Sequence, residues 1–140
     1  KDINLNLAIS NFDGKTFYYE NSPINQQNSL IKKNVKQSKI EIQCSSLNSI
    51  LKKYNFDHFD YLNVDVEGSE LKVIEGIDLK KYHPTLITIE NNDLLPVDYF
   101  KSEIYKLLID NNYVFINKIG VTNFFMSQES TNKISDIIKI

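Results

Sequence analysis

Three carboxylates follow two apolar segments, and their spacing is the strongest chemical signal in the chain. Asp65 and Glu67 come at the end of the apolar run 59–66, and Glu90 ends the run 86–90. If these runs are neighbouring parallel strands, about 4.8 Å apart, the side chains crowd the sheet edge where ligands of open parallel sheets bind. Like charges this close predict a proton acceptor, a metal site or a site for a cationic ligand. The alternatives are that Glu67 only complements a helix dipole and that Glu90 points into solvent.

Two histidines and one cysteine are weaker candidates for chemistry. His58 and His83 each precede an apolar strand segment, which places them at the sheet edge opposite the carboxylates and argues against a His–Asp relay. Cys44 has no basic neighbour in the sequence that would activate a thiolate, so we expect it to be inert.

The composition excludes several classes of protein. The 140 residues are 24% charged and 41% apolar, with a formal net charge of -2. All 16 basic residues are lysine, so a nucleic-acid partner has little electrostatic support. The single cysteine excludes an internal disulfide. No apolar run is long enough to cross a membrane, so we expect no membrane partner and a cytoplasmic location.

The elements that must position the carboxylates alternate between strands and helices. Helical periodicity predicts helices over 47–54, 71–77 and 96–112, and residues 113–126 predict a closing antiparallel hairpin. Strands are predicted over 3–9, 16–19, 40–43, 59–66 and 86–90. Because such alternation implies right-handed crossovers, we expect a three-layer α/β fold with a mainly parallel sheet.

The length fits one hydrophobic core, so we expect residues 1–140 to form a single, incomplete domain. Residues 20–39 are polar and predict a mobile loop, which is either a lid or binding segment or simply disordered. Residue 1 is lysine and the first apolar stretch begins almost at once. The sequence is therefore expected to be the carboxy-terminal part of a longer domain.

The segment 61–70, followed by an apolar helix that ends at Gly76, resembles the FkbM-type S-adenosylmethionine-dependent methyltransferases. The family's pattern is an apolar strand, then Asp-Val-Glu-Gly-Ala/Ser-Glu, then a short helix. Three flanking segments are also similar to the family: the helix 47–51, the Pro-apolar-Glu strand 84–90, and the Ala-apolar-Ser segment with its turn, 8–14. The resemblance covers 5–125 and implies a Rossmann-like class I methyltransferase fold that lacks its amino-terminal strands.

Two features depart from the family's pattern. Asn48 stands where the family usually has Asp. The glycine-containing first strand and turn, and the acidic residue after the second strand, are absent; the four glycines do not have the spacing of a nucleotide-binding loop. We therefore expect part of the cofactor pocket to lie upstream of Lys1.

The resemblance implies O-methylation of a small-molecule or carbohydrate hydroxyl, with S-adenosylmethionine as donor. We expect Ala8, Ile9 and Asp65 to bind this cofactor. We further expect Asp65 to act as the base, or as a ligand to a divalent ion that acidifies the acceptor hydroxyl. Glu67 and Glu90 would then be catalytic residues that position the acceptor, and whether a metal takes part is left open.

Two other interpretations of the sequence are open, a phosphatase and a non-catalytic module. The segment 65–69 also resembles the Asp-x-Asp-Gly-Thr/Ser loop of haloacid dehalogenase-type phosphatases, but Glu67 stands where a second Asp is needed and 90–93 supplies no paired-Asp metal site. The other alternative is that the chain is a degenerate, non-catalytic α/β module that keeps only interaction surfaces.

Overall fold

The computed structural model describes residues 2–20, 30, 38–91 and 96–138. Its strands are β1 (Ala8–Ser10), β2 (Gly14–Glu20), β3 (Ser38–Ser46), β4 (Tyr61–Val64), β5 (Leu86–Glu90), β6 (Tyr113–Ile119) and β7 (Thr122–Ser127). Its helices are α1 (Leu47–Lys53), α2 (Glu70–Glu75), α3 (Leu79–Tyr82), α4 (Pro96–Tyr99), α5 (Glu103–Asp110) and α6 (Gln128–Ile138). The chain divides into two compact units: Lys1–Asn55 with Val66–Ile77, and Phe56–Asp65 with Asp78–Ile140. That 1–140 forms a single domain stays a prediction.

The first unit is built on a three-stranded sheet in the order β1-β3-β2. Strand β1 runs parallel to β3, whereas β2 runs antiparallel to it. The aromatic and β-branched residues 16–19 favour the extended backbone of β2. Gly14 begins this strand with a φ of 138°, a conformation that other residues rarely adopt.

A close approach of helix α2 to strand β1 holds the first unit together. Gly76, at the end of α2, faces the end of β1 so closely that a Cβ atom would overlap the carbonyl oxygen of Ser10. The carbonyl of the same glycine accepts a hydrogen bond of 2.9 Å from the Asn48 amide of α1. Gly76 therefore joins two helices and a strand, and no side chain fits there.

The second unit contains a four-stranded sheet in the order β4-β5-β7-β6. Strands β4 and β5 are parallel, and β7 is antiparallel to both β5 and β6. Ile87 and Ile89 are fully buried, as the β-branched run of β5 predicts. An aromatic cluster with ring centroids 5.1–6.4 Å apart packs in this unit, and its members are Tyr99, Phe100, Tyr105, Phe115 and Phe125.

The prediction of a three-layer, Rossmann-like fold with a mainly parallel sheet is wrong for this structure. The described strands form two small mixed sheets, in which two strand pairs are parallel and three are antiparallel. The prediction failed because it assumed that successive strands are joined by crossover connections and therefore run parallel. Strand β3 instead pairs antiparallel with the preceding β2, and β7 inserts antiparallel beside β5. The closing hairpin of β6 and β7 is confirmed.

Several element boundaries also differ from the sequence-based expectation. Residues 3–7 form no strand, and β1 is confined to Ala8–Ser10. The helix predicted over 96–112 is two helices, because the Ser102 hydroxyl accepts a hydrogen bond from the Tyr105 amide and starts α5 afresh.

The remaining differences lie at the two ends of the predicted loop and at the end of the chain. Of the predicted mobile loop 20–39, Glu20 belongs to β2 and residues 38–39 to β3, whereas 21–29 and 31–37 lie outside the described residues. Helix α6 was not predicted. Within the described part of the chain, no helix is both long and apolar enough to cross a membrane. The cytoplasmic location stays a prediction.

Candidate functional site

Two carboxylates lie side by side where the parallel strands of the second unit end. The register pairs Asn63 with Thr88 and Val64 with Ile89. Asp65 and Glu90 are therefore the next residues along the two strands. Val64 and Ile89 are both buried, which anchors the strand ends on the core. Carboxylate oxygens of Asp65 and Glu90 lie within 4.8 Å of one another. The predicted proximity of these two residues is confirmed, and their catalytic roles stay predictions.

The two carboxylates of this pair differ in their surroundings. Asp65 is exposed, and among the described residues no hydrogen bond or ion pair reaches its carboxylate. Glu90 is half-buried. An exposed carboxylate without a donor can accept a proton or a cationic group without first breaking a contact, and a second negative charge nearby adds to its attraction for a cation.

A line of hydrogen bonds precedes the pair on the same face of the sheet. Thr88 is buried, and its hydroxyl donates to the Asn63 side-chain oxygen at 2.7 Å. The same hydroxyl oxygen lies 2.7 Å from the Tyr61 hydroxyl. Residues 61, 63 and 65 alternate along β4 and its continuation, so they share one face. The bonds tie β4 to β5 just before the two carboxylates.

Glu67, the third predicted carboxylate, belongs to the first unit. It is half-buried and adopts a left-handed backbone with a φ of 55°, and Gly68 follows with a φ of 101°. Left-handed backbone is unfavourable for a residue with a side chain, so the surrounding contacts must hold it. Since α2 begins at Glu70, Glu67 stands three residues ahead of the helix. Its role in catalysis stays a prediction.

Glu70, the last residue of the family-like segment 61–70, makes specific contacts. Its side chain is buried, and one carboxylate oxygen accepts hydrogen bonds from the amides of Val66 at 3.3 Å and Gly68 at 2.8 Å. Hydrogen bonds to an ionised acceptor are worth about 1.5–3 kcal/mol each. The tight turn between Asp65 and the helix was the available signal, because such a turn brings residue 70 back onto residues 66 and 68.

Ala8 and Ile9, predicted to bind the cofactor, lie in β1 of the first unit and are half-buried. They pair with Cys44 and Ser45 of β3. A cleft of about 420 Å³ lies in the same unit, but neither Ala8 nor Ile9 lines it. Its lining residues are Leu5, Asn6, Leu7, Gln43, Ser45, Ser49, Ile50, Lys53 and Tyr54. Cofactor binding by Ala8 and Ile9 stays a prediction.

Asp13 accepts three hydrogen bonds that its local sequence does not predict. Its carboxylate accepts from the hydroxyl of Ser45 at 2.5 Å, the hydroxyl of Ser49 at 2.6 Å and the amide of Ser46 at 3.0 Å. These bonds, that from Ser45 first, lower the pKa of Asp13 below its ordinary value. They connect the turn after β1 to the start of α1, so this carboxylate is part of the fold of the first unit.

The histidines and the cysteine are placed as predicted. His58 and His83 lie in the segments before β4 and β5, at the opposite ends of these strands from Asp65 and Glu90. His58 pairs with the exposed Asp60 at 3.0 Å, and the ring of His83 packs 5.0 Å from that of Tyr113. Cys44 is buried, and this burial raises the pKa of its thiol.

Adjacent carboxylates at the carboxyl ends of parallel strands define an acidic site suited to a cationic group or to proton transfer. Comparison with family models identifies the protein more closely, because the Methyltransferase FkbM domain matches residues 1–115. The chain therefore belongs to the FkbM methyltransferase domain family, which confirms the resemblance seen in the sequence. No curated protein and no solved structure matched the chain.

Proposed function

We propose that the protein transfers a methyl group from S-adenosylmethionine to a hydroxyl of a small molecule or carbohydrate, with Asp65 as the proton acceptor. The observation that carries the proposal is the exposed Asp65 carboxylate, within 4.8 Å of Glu90 at the end of two parallel strands. Membership of a methyltransferase family supports the reaction class. The hydroxyl acceptor and the residue roles are our own assignment.

The chemistry of these side chains fits the donor that the family implies. When bound, S-adenosylmethionine supplies an electrophilic methyl group on a positively charged sulfur. Two neighbouring carboxylates offer negative potential to such a cation. Asp65 would hold the donor at this end of the sheet of the second unit, and Ala8 and Ile9 are retained as further donor-binding residues from the family pattern.

The chain's own residues have two tasks in this reaction. An alcohol that gains a methyl group must lose its proton as the bond forms, and a carboxylate within hydrogen-bond reach can accept it. We assign this task to Asp65. Glu90 would orient the acceptor by accepting a hydrogen bond from a hydroxyl, and Glu67 is assigned the same task because it follows Asp65 by two residues. Such orientation supplies much of the rate gain in a displacement reaction.

A transfer assay with isotopically labelled S-adenosylmethionine tests the proposal. The full-length protein is incubated with a panel of sugars and hydroxylated small molecules, with and without EDTA, and binding of the donor is measured by calorimetry. We expect donor binding and label in a hydroxylated acceptor. Transfer that survives EDTA excludes the metal-ligand role of Asp65, whereas loss restored by added Mg²⁺ supports that role.

Two results would contradict the proposal. Absence of both donor binding and transfer would favour a non-catalytic module. Release of phosphate from phosphate esters in the presence of Mg²⁺, without methyl transfer, would favour a phosphatase.

A further inference from the structure

We propose that Glu70 is a positioning residue for Glu67, because its buried carboxylate fixes the loop 66–68 that carries Glu67. The inference rests on the proposed function, since it concerns the same carboxylates. It assigns to Glu70 a task beyond the first turn of α2, where a glutamate could simply face solvent and complement the helix dipole.

The burial of Glu70 separates these two roles. A glutamate that serves only the helix dipole stays hydrated, but Glu70 is 8% exposed. A buried carboxylate must recover its lost hydration through hydrogen bonds. The same oxygen, Oε1, accepts from the amides of Val66 and Gly68. The Glu70 carboxylate is thus hydrogen-bonded to the loop rather than exposed to solvent.

The two amides flank Glu67, whose backbone conformation is unfavourable for a residue with a side chain. Glu67 lies between Val66 and Gly68 and has a left-handed φ of 55°, which isolated peptides rarely populate. Hydrogen bonds on both sides of Glu67 restrain this conformation and so fix the direction in which its Cα–Cβ bond leaves the chain.

Removing the acceptor should therefore disturb the loop more than it disturbs the fold. In Glu70→Ala both amides lose their partner, and the left-handed backbone at Glu67 loses the support of these two hydrogen bonds. Glu70→Gln keeps an oxygen at the same position but without the charge, and neutral acceptors bind more weakly. We expect Glu70→Gln to behave between the wild type and Glu70→Ala.

Amide hydrogen exchange and methyl transfer are measured on the full-length protein and its variants. In Glu70→Ala the Val66 and Gly68 amides should exchange at least about tenfold faster. Its turnover should fall about 10- to 100-fold, because misplacing a functional group by about 1 Å can cost 10²-fold in rate. Glu75→Ala is the matched control and should keep wild-type turnover, because Glu75 is an exposed glutamate of the same helix that accepts a hydrogen bond from Asn11 and makes none with the described loop residues 66–68. A loss of turnover per folded molecule in Glu70→Ala that Glu70→Gln partly restores would distinguish positioning from a general loss of folded protein.

Each contrary result has a distinct meaning. An active wild type whose Glu70→Ala variant folds and turns over equally fast overturns the inference alone. A wild type that transfers no methyl group overturns the proposed function and this inference with it. If Glu70→Ala does not fold, Glu70→Gln decides: faster exchange with reduced turnover supports the role, and wild-type values of both refute it.

Discussion

Asp13 and Asp65 are two aspartates that each follow a strand, but their surroundings differ. Asp13 accepts three hydrogen bonds, from the Ser45 and Ser49 hydroxyls and the Ser46 amide. Asp65 has no such donor among the described residues and has a second carboxylate within 4.8 Å. A carboxylate surrounded by donors stabilises the local fold, whereas one beside another negative charge is available to a proton or a cation. The difference separates a structural aspartate from a candidate catalytic one.

The largest expected effect is that of replacing Asp65, which tests whether this aspartate is catalytic. Asp65→Asn removes the proton acceptor and should lower kcat/KM for methyl transfer by about 10²- to 10⁴-fold. The melting temperature should stay the same or rise slightly, because a like-charge contact with Glu90 is removed. Steady-state kinetics and thermal melts of the full-length protein check both parts. Asp57→Asn, an exposed aspartate of the same unit, is the control and should change neither. Turnover retained in Asp65→Asn would discard the assignment.

The sequence was sufficient to predict the Asp65–Glu90 pair because the pair depends on local patterns. An apolar strand followed by a polar residue can be recognised within ten positions, and two such strands in parallel bring their ends together. The hairpin of β6 and β7 was predictable for the same reason. The overall arrangement of strands was not predictable from local patterns. Strand β2 pairs with β3, for example, through residues as far apart in the sequence as Gly14 and Cys44, which are 30 positions apart.

The Asp13 contacts were beyond the reach of pattern analysis for a related reason. Ser45 lies 32 positions and Ser49 36 positions from Asp13 along the chain. Serine and aspartate are common in loops, so nothing in their local sequence marks them as partners. The contacts of Glu70 span only two and four positions, but they depend on the left-handed backbone at Glu67, which is unusual for glutamate.

A second substitution tests how strongly the stability of the first unit depends on the close contact between Gly76 and the end of β1. Gly76→Ala should lower the free energy of unfolding by about 1–3 kcal/mol, because its Cβ would overlap the backbone of Ser10 and the strand must shift. Denaturant unfolding measures this loss. Gly120→Ala is a useful comparison, since its Cβ would meet open space and only the left-handed φ of 60° is unfavourable. An equal or greater loss in Gly120→Ala would show that the contact with Ser10 is not tight.

A smaller effect is expected from the structural aspartate itself. Asp13→Ala removes the acceptor that links the turn after β1 to α1, so the melting temperature should fall by a few degrees. Methyl transfer per folded molecule should be unchanged, the opposite of the pattern expected for Asp65→Asn. Asp2→Ala is the control, because Asp2 is an exposed aspartate of the same unit. If Asp13→Ala abolished transfer without loss of stability, the distinction between the two aspartates would fail.

The smallest expected effect is the pH dependence of the Asp13 contribution. Hydrogen bonds from Ser45, Ser49 and Ser46 lower the pKa of Asp13 in the folded chain below its ordinary value of 3.8. The unfolded chain then binds a proton more readily than the folded one, so the contribution is fully present above pH about 4 and is lost as the pH falls through the folded pKa. The difference in melting temperature between the wild type and Asp13→Ala should therefore stay constant from pH 7 to about 5 and shrink in more acidic buffer. Thermal melts across this range measure it, with Asp2→Ala as the reference. A difference that grows on acidification would mean that the hydrogen bonds favour the protonated carboxyl group, and the contrast with Asp65 would then lose its electrostatic basis.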